Sequence, residues 1–267
     1  MKKLAFLLAC LAGPASAHEF WLQAEDYTVA PGETMIVSIV NGDGFKGQLI
    51  PYLPQIFVNF VDISAEGVTP VQGRAGDRPA VTMPDPPDGL NVLAYEATDR
   101  TVDYKGWDVV QRVVEHKGFD TFYQDHAARG FAEEPFREVY SRYSKALIAV
   151  GDGAGADSRT GLETEIVALT NPYTDDVSNG MTFQLWYGSA PRADARFEVW
   201  DRSPDGEVTQ TFYRTDAQGM VTVPVQPGFE YMADAVLLRE PAPALAEASG
   251  AIWETLWANI TWAVPAR

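Results

Sequence analysis

The residues best suited to chemistry are the three histidines, His18, His116 and His126. Residues 15–17 read Ala-Ser-Ala, the small-residue triplet at which signal peptidases cut, so cleavage would leave His18 as the first residue with a free α-amine. This amine and the imidazole Nδ1 together form a compact chelate for nickel, cobalt or copper, which prefer nitrogen ligands more than Ca²⁺ or Mg²⁺ do. The sequence therefore predicts His18 as a metal ligand.

A site built on His18 alone is incomplete, because a stable site needs at least one more strong ligand. His116 and His126 lie ten residues apart in a predicted helix, a rise of about 15 Å, so they cannot share an ion unless the helix breaks at Gly118. The simpler interpretation of each is a solvated histidine on a helix surface, and that of His18 is a residue that merely follows a cleavage site. Three carboxylates could complete a mixed nitrogen and oxygen shell, namely those of Glu19, Glu25 and Asp26.

The first seventeen residues have the three parts of a secretory signal peptide: Lys2 and Lys3, a short apolar body over residues 4–12, and the small triplet. The body is well short of the roughly 20 residues that a membrane-spanning helix needs, and no later segment is a continuous apolar run of that length. We therefore expect a periplasmic protein without a membrane anchor of its own. The alternative is a lipoprotein box over residues 7–10, which is less favoured because it leaves almost no apolar body before Cys10.

Loss of residues 1–17 also sets the charge and the cysteine chemistry. The only cysteine, Cys10, leaves with the signal peptide, which excludes disulfides, thiolate metal sites, cysteine nucleophiles and covalently attached haem. The formal charge moves from −17 to −19 on removal of Lys2 and Lys3. Nucleic acid is an unfavourable partner for such a surface. The simplest interpretation of this negative charge is that it keeps the protein soluble, and the second is that it attracts cations.

Short apolar or alternating runs, separated by Pro, Gly, Asn and Asp, predict a mainly β fold. We expect two immunoglobulin-like or transthyretin-like β-sandwich domains, over residues 18–150 and 162–267, joined by a Gly-rich linker at residues 151–161. Helical spacing of apolar residues predicts a helical insertion at residues 103–143 in the first domain, broken near Gly118 and Gly130. Residues 241–250 are predicted to be a surface loop. The tryptophans at 253 and 257 are spaced as in a helix.

Motifs of common enzymes are missing from the sequence. It contains no Gly-x-Ser-x-Gly elbow and no His-Glu-x-x-His helix, and residues 152–157 do not match a calcium-binding loop. The spacing of the histidines does not support a Ser-His-Asp triad. The sequence therefore favours a binding protein over an enzyme.

Several segments, in order along nearly the whole mature chain, resemble the DUF4198 family of bacterial periplasmic proteins. They are His18-Glu19-Phe20-Trp21-Leu22, Pro31-Gly32-Glu33, Val92-Leu93-Ala94-Tyr95-Glu96, residues 140–147, residues 162–167 with Asn171-Pro172-Tyr173, residues 215–219 and residues 253–258. The resemblance implies a periplasmic component of a cobalt or nickel uptake system, with an inner-membrane metal transporter as partner. It implies His18 as the metal-binding position. Family members often carry another histidine in the strand matching residues 231–238, where this chain has Asp234.

Three hypotheses for function follow. The first is a metal-binding and delivery protein that holds nickel, cobalt or copper through His18. The second is a copper-dependent monooxygenase, which would require a second histidine facing His18. The third is a structural or interaction module in the periplasm without metal.

Overall fold

The computed structural model of the chain describes residues 18–266. The predicted signal peptide of residues 1–17, and the alternative lipoprotein box, lie outside the described residues. Within residues 18–266, none of the helices has the length and apolar character needed to cross a membrane.

The first half of the chain forms ten strands and two α-helices. In chain order they are β1 (Glu19–Ala24), β2 (Thr28–Val29), β3 (Thr34–Asp43), β4 (Lys46–Ile50), β5 (Phe57–Ser64), β6 (Gly67–Pro70), β7 (Val81–Pro84), β8 (Gly89–Ala97), β9 (Arg100–Asp103), α1 (Trp107–Lys117), α2 (Phe122–Ala128) and β10 (Arg137–Val150), with a short 3-10 helix (Pro54–Ile56) before β5.

The second half adds eight strands and one α-helix. They are β11 (Thr164–Ala168), β12 (Met181–Tyr187), β13 (Ala190–Pro191), β14 (Arg196–Arg202), β15 (Val208–Arg214), β16 (Met220–Val223), β17 (Glu230–Arg239), α3 (Pro243–Ser249) and β18 (Trp253–Ala263).

The strands form three sheets, of which the largest takes strands from both halves of the chain. This central sheet has ten strands, with the main order β15-β14-β17-β18-β10-β8-β5-β6 and with β2 and β9 paired to β10. One outer sheet has the order β1-β3-β4 with β7 on β3, and the other has the order β11-β12-β13 with β16 on β12. The prediction of a mainly β fold is confirmed.

Each face of the central sheet packs against one outer sheet. On β10, Leu147 belongs to the core shared with Phe183 of β12, whereas Ala146 and Ile148 belong to the core shared with Leu22 of β1. This division follows from the strand period, because successive side chains point to opposite faces. The two predicted sandwiches are therefore built around one common sheet. The predicted boundary between domains is not a boundary between sheets.

Strands β10 and β18 join the two halves at the middle of the central sheet. They are parallel, and their register aligns Ser144 with Asn259 and Arg142 with Trp257. The helical spacing noted for residues 253 and 257 proved misleading, since both lie in β18. A strand buried on both faces has apolar residues at nearly every position, so any apparent helical period within it is not diagnostic.

Three further boundaries differ from the sequence prediction. The predicted helical insertion of residues 103–143 contains α1 and α2, but its first residue ends β9 and its last residues, from Arg137 onward, belong to β10. The predicted loop at residues 241–250 contains α3. Helix α1 ends where Gly118 adopts a left-handed φ of 64°, and Phe119 N donates to the Val114 carbonyl, which is a C-terminal cap suited to glycine.

Candidate metal centre

A row of polar side chains crosses the face of the central sheet that is turned toward β1. Cross-strand pairing places Glu198 of β14 beside Asp234 of β17, Asp234 beside Asn259 of β18, and Asn259 beside Ser144 of β10. All four residues are buried. Paired residues on adjacent strands share a face, so four strands contribute one polar position each to a continuous row.

Helix α1 brings a buried lysine to the carboxylate end of this row. Val110, Val113, Val114 and Lys117 are the buried residues of α1, at the i, i+3, i+4, i+7 spacing of a single helix face. The Lys117 Nζ lies 3.0 Å from Glu19 Oε1, 2.9 Å from Glu198 Oε2 and 3.5 Å from Asp234 Oδ2.

The surroundings of Lys117 favour its charged form. Its Nζ lies 4.8 Å from the centre of the Trp257 ring, where a cation–π attraction adds to the ion pairs. Burial lowers the pKa of Lys117, but the attraction of Asp234, Glu198 and Glu19 outweighs burial, so the net shift is upward. Lys117 is thus the internal counter-ion of three buried acids.

Lys117 is the one cation in direct contact with these three carboxylates among the described residues. Burial raises the pKa of Glu19 from 4.5 to about 7, against the opposing attraction of Lys117. Burial likewise raises the pKa of Asp234 from 3.8 to about 6, and it raises that of Glu198. With Lys117 as the only cation in direct contact, ionisation of all three acids would leave an excess of negative charge, which Arg142 and Arg196 offset in part at longer range and which a divalent cation could neutralise.

His116 adds a nitrogen ligand at the exposed end of the cluster. One ligand atom each from Glu19, His116 and Glu198 lies within 4.8 Å of the others, and the His116 Nε2 to Glu198 Oε2 distance is 3.7 Å. Ligand atoms about 2.1 Å from a tetrahedral ion are about 3.4 Å apart, so a bound ion would draw the three atoms together by up to about 1.4 Å. Burial and the neighbouring Lys117 lower the pKa of His116, which favours the neutral, metal-binding imidazole.

Buried polar atoms without a hydrogen-bond partner lie at the centre of the cluster. Among the described residues, Glu19 Oε2, Asp234 Oδ1 and both amide atoms of Asn259 are buried without a hydrogen-bond partner. Buried polar atoms are nearly always paired, and an orphan in a native structure commonly marks a bound water or ion. An imidazole, two carboxylates and a spare carboxylate oxygen fit a divalent transition metal.

His18 lies at the edge of this cluster but is not one of the three grouped residues. It directly precedes Glu19, so their Cα atoms are about 3.8 Å apart. Its side chain is exposed, its carbonyl accepts a hydrogen bond of 2.7 Å from Arg142 Nη1, and it lines a neighbouring pocket. The predicted ligand His18 is thus adjacent to the candidate centre.

His126 is unsuited to bind metal. It is 2% exposed, its Nδ1 accepts a hydrogen bond from Trp253 Nε1 at 2.9 Å, and its Nε2 lies 2.9 Å from the Ala132 carbonyl. Both ring nitrogens are therefore occupied. The simpler interpretation of His126 as a solvated residue was wrong, since it lies on the buried face of α2 and packs against Phe122 and Trp253.

Sequence reasoning missed four residues of this centre: Lys117, Glu198, Asp234 and Asn259. The signal for Lys117 was present, because it continues the apolar face of α1 four residues after Val113. A second signal was a lone acid between apolar residues in a strand, as in Phe197-Glu198-Val199 and Ala233-Asp234-Ala235. A charge at such a position either faces solvent or meets a buried partner, and local sequence does not distinguish the two.

The raised pKa values predict how stability depends on pH. An acid whose folded pKa exceeds its unfolded value stabilises the fold fully below the unfolded pKa, and that contribution is lost as pH rises through the folded pKa. For Glu19 and Asp234 together, this loss of stability extends from about pH 4 to about pH 7. We expect the free energy of unfolding of the metal-free protein to fall by about 2 kcal/mol between pH 5.5 and pH 8.

Urea unfolding at a series of pH values measures this dependence. The Glu19→Gln variant, which cannot titrate at that position, should show a flatter profile than the wild type. A wild-type stability that rises over the same pH interval would contradict the prediction.

The solved structures compared below are only weakly similar to this chain. The D0-D1 domain of intimin is 12% identical over 92% of this chain and 97% of that chain, with a TM-score of 0.21. A tetra-tandem repeat from the extending region of a large adhesion protein is 10% identical over 92% of this chain, with a TM-score of 0.22. A Salmonella alpha-2-macroglobulin reacted with methylamine is 13% identical over 94% of this chain, with a TM-score of 0.22.

The chain spans 49% of the length of the adhesion repeat and 15% of that of the macroglobulin. With such TM-scores these similarities carry no argument about function.

No curated protein matches the sequence. A family model, described as a domain of unknown function, DUF4198, matches residues 15–238. The chain therefore belongs to the DUF4198 family.

Proposed function

We propose that the protein is a periplasmic metal-binding and delivery protein, accessory to nickel or cobalt uptake, and that it holds its ion at Glu19, His116 and Glu198 beside the mature amino terminus. The observation that carries this proposal is the convergence of three ligand atoms within 4.8 Å from three separate segments, β1, α1 and β14. The unpartnered Glu19 Oε2 supports it, because that oxygen is free of Lys117.

His18 has a supporting part in this proposal. After cleavage at residue 17 its amine would stand one residue from the Glu19 carboxylate, and its imidazole would be exposed to solvent. A terminal chelate at the mouth of a buried carboxylate group suits an ion that is first captured and later passed to a transporter. Exposure of both His18 and His116 keeps this end of the centre accessible to a partner.

Metal titration of the mature chain, residues 18–267 with a verified free amine, tests the proposal. Calorimetry should detect one ion per chain, with affinity rising in the order Co²⁺, Ni²⁺, Cu²⁺, as expected where no rigid cage overrides intrinsic preference. We expect His116→Ala and Glu198→Gln each to weaken binding at least about tenfold, which is about 1.4 kcal/mol. His18→Ala should weaken binding further if the terminal chelate joins the ion.

Glu115→Gln is the matched control, because Glu115 is an exposed acid beside His116 on the same helix. It removes one negative charge without touching the grouped atoms and should leave affinity unchanged. Absence of binding for all three ions, or equal binding by wild type and His116→Ala, would refute the proposal. Mass spectrometry of the exported chain checks the free amine, and a start at any other residue would remove His18 from the site.

One observation favours the structural alternative. Lys117 already contacts Glu19 and Glu198 at 3.0 and 2.9 Å, so the acids have a counter-ion without metal. If no ion binds, the cluster is an internal ion network and the interaction module becomes the better hypothesis. The copper monooxygenase would depend on His116 alone as the second histidine, since His126 has no free ring nitrogen.

A further inference from the structure

A separate pocket of about 230 Å³ lies between the amino terminus, helix α1 and strands β10 and β18. Its walls are largely apolar and aromatic, with Tyr104, Tyr140 and Trp257 as rings and Val109 and Val113 from α1. Small-molecule sites commonly combine such walls with one or two convergent polar groups.

Arg142 is the convergent polar group of this pocket. Its guanidinium lies 5.0 Å from the centre of the Trp257 ring and 5.1 Å from that of Tyr140. Among residues 18–266 its only hydrogen bond goes from Nη1 to the His18 carbonyl, and it forms no ion pair with a carboxylate. The Trp257 and Tyr140 rings attract the guanidinium charge, but they accept no hydrogen bonds from its in-plane N–H groups. The N–H groups at Nε and Nη2 can therefore still donate to a ligand.

The two carboxylates that line the pocket are committed to other partners. Glu138 accepts hydrogen bonds from the Tyr104 hydroxyl at 2.6 Å and the Thr255 hydroxyl at 2.5 Å. Asp103 pairs with Arg137 at 2.8 Å. Lys105 adds a second positive charge to the lining. Among the described residues, no carboxylate lies within ion-pair distance of the Arg142 guanidinium, although Asp234, Glu19 and Glu138 act on it at longer range. Its unpaired donors therefore offer a contact for an external anion.

We propose that this pocket binds the carboxylate of a small organic acid, with Arg142 as the group that pairs with it. Carboxylate matches the planar, two-donor geometry of guanidinium, and the aromatic walls accommodate the apolar part of the acid. The acid can arrive free or as a ligand of a metal ion, and both sources present the same carboxylate chemistry to Arg142. The pocket shares His18 with the proposed metal centre, but pairing of Arg142 with a carboxylate requires no metal there.

Ligand-observed NMR on the mature protein, with phenylacetate, succinate and histidine as probes, tests this proposal. At least one acid should bind, and its neutral amide analogue, such as phenylacetamide for phenylacetate, should bind at least about tenfold more weakly because the charge-assisted pair is lost. Histidine with and without equimolar Ni²⁺ distinguishes the two sources. Tighter binding with the metal indicates a chelate, and equal binding indicates the free acid.

Arg142→Gln should abolish acid binding, whereas Arg112→Gln, on the exposed side of α1, should leave it unchanged. Because Arg142 also holds the His18 carbonyl, Val109→Phe provides a second variant that fills the pocket and keeps the guanidinium. It should also block binding, and circular dichroism verifies that each variant folds. His116→Ala should retain acid binding, which separates this site from the metal centre. Failure of all three acids to bind, equal binding of acid and amide, or acid binding by Arg142→Gln would overturn the proposal.

Discussion

Replacement of Lys117 by methionine is expected to lower the free energy of unfolding by about 3 to 5 kcal/mol at pH 7.5, the usual cost of removing one partner of a buried ion pair. Methionine preserves most of the length of the side chain and removes only the ammonium. Glu19, Glu198 and Asp234 would then remain buried without their cation. Urea denaturation with a fitted midpoint and slope measures the change.

The defect should shrink as pH falls toward 5, because protonation removes the charges that Lys117 balances. A Lys117→Met variant that also carries Glu198→Gln and Asp234→Asn should regain part of the lost stability. Lys46→Met is the control, since Lys46 is exposed in β4 and its replacement should cost less than about 1 kcal/mol. A loss for Lys117→Met no larger than for this control would mean that the cluster is not the buried ion network described above.

The second large effect is expected at Lys145, which anchors the Gly-rich segment to the sheets. Its Nζ lies 2.6 Å from Asp157 Oδ1 and 3.3 Å from Glu165 Oε1, and all three side chains are at most 2% exposed. The Lys145→Met variant should lose about 3 to 5 kcal/mol of stability. The freed segment should also become sensitive to trypsin after Arg159.

Denaturant unfolding and limited trypsin digestion followed by mass spectrometry give the two measurements. Lys105→Met serves as control, because Lys105 is exposed and distant from the segment in sequence. Loss of stability without cleavage at Arg159 would show that the segment is held by other contacts, such as the hydrogen bonds from Asn171 to the Gly153 and Gly155 carbonyls. Unchanged stability and unchanged digestion would contradict the proposed anchor.

Local patterns predicted the strands of the second half well but not how they assemble. Alternating apolar residues and Gly or Asp turns indicated the β character of residues 162–267, where β12, β14 and β17 lie. Pairing of β10 with β18 carries no local signal. These strands are separated by more than a hundred residues, and parallel pairing leaves no hairpin turn to mark it.

The candidate centre was only partly predictable for a related reason. His18 is marked by its position after a cleavage triplet, and helical spacing together with Gly118 located the end of α1. Glu198 and Asp234 look like two of many acids until the register of β14 and β17 places them side by side. Charge patterns within one element are visible in sequence, whereas a cluster drawn from four elements is a property of the topology.

The position of β18 has a consequence for the order in which the chain can assemble. Translation delivers residues 253–263 after both of their partners, because these residues pair with β17 on one side and β10 on the other. Until they emerge, β10 keeps one edge open, and an unpaired apolar edge invites pairing with other chains. A stop codon that removes β18 should therefore yield aggregates instead of a shortened fold.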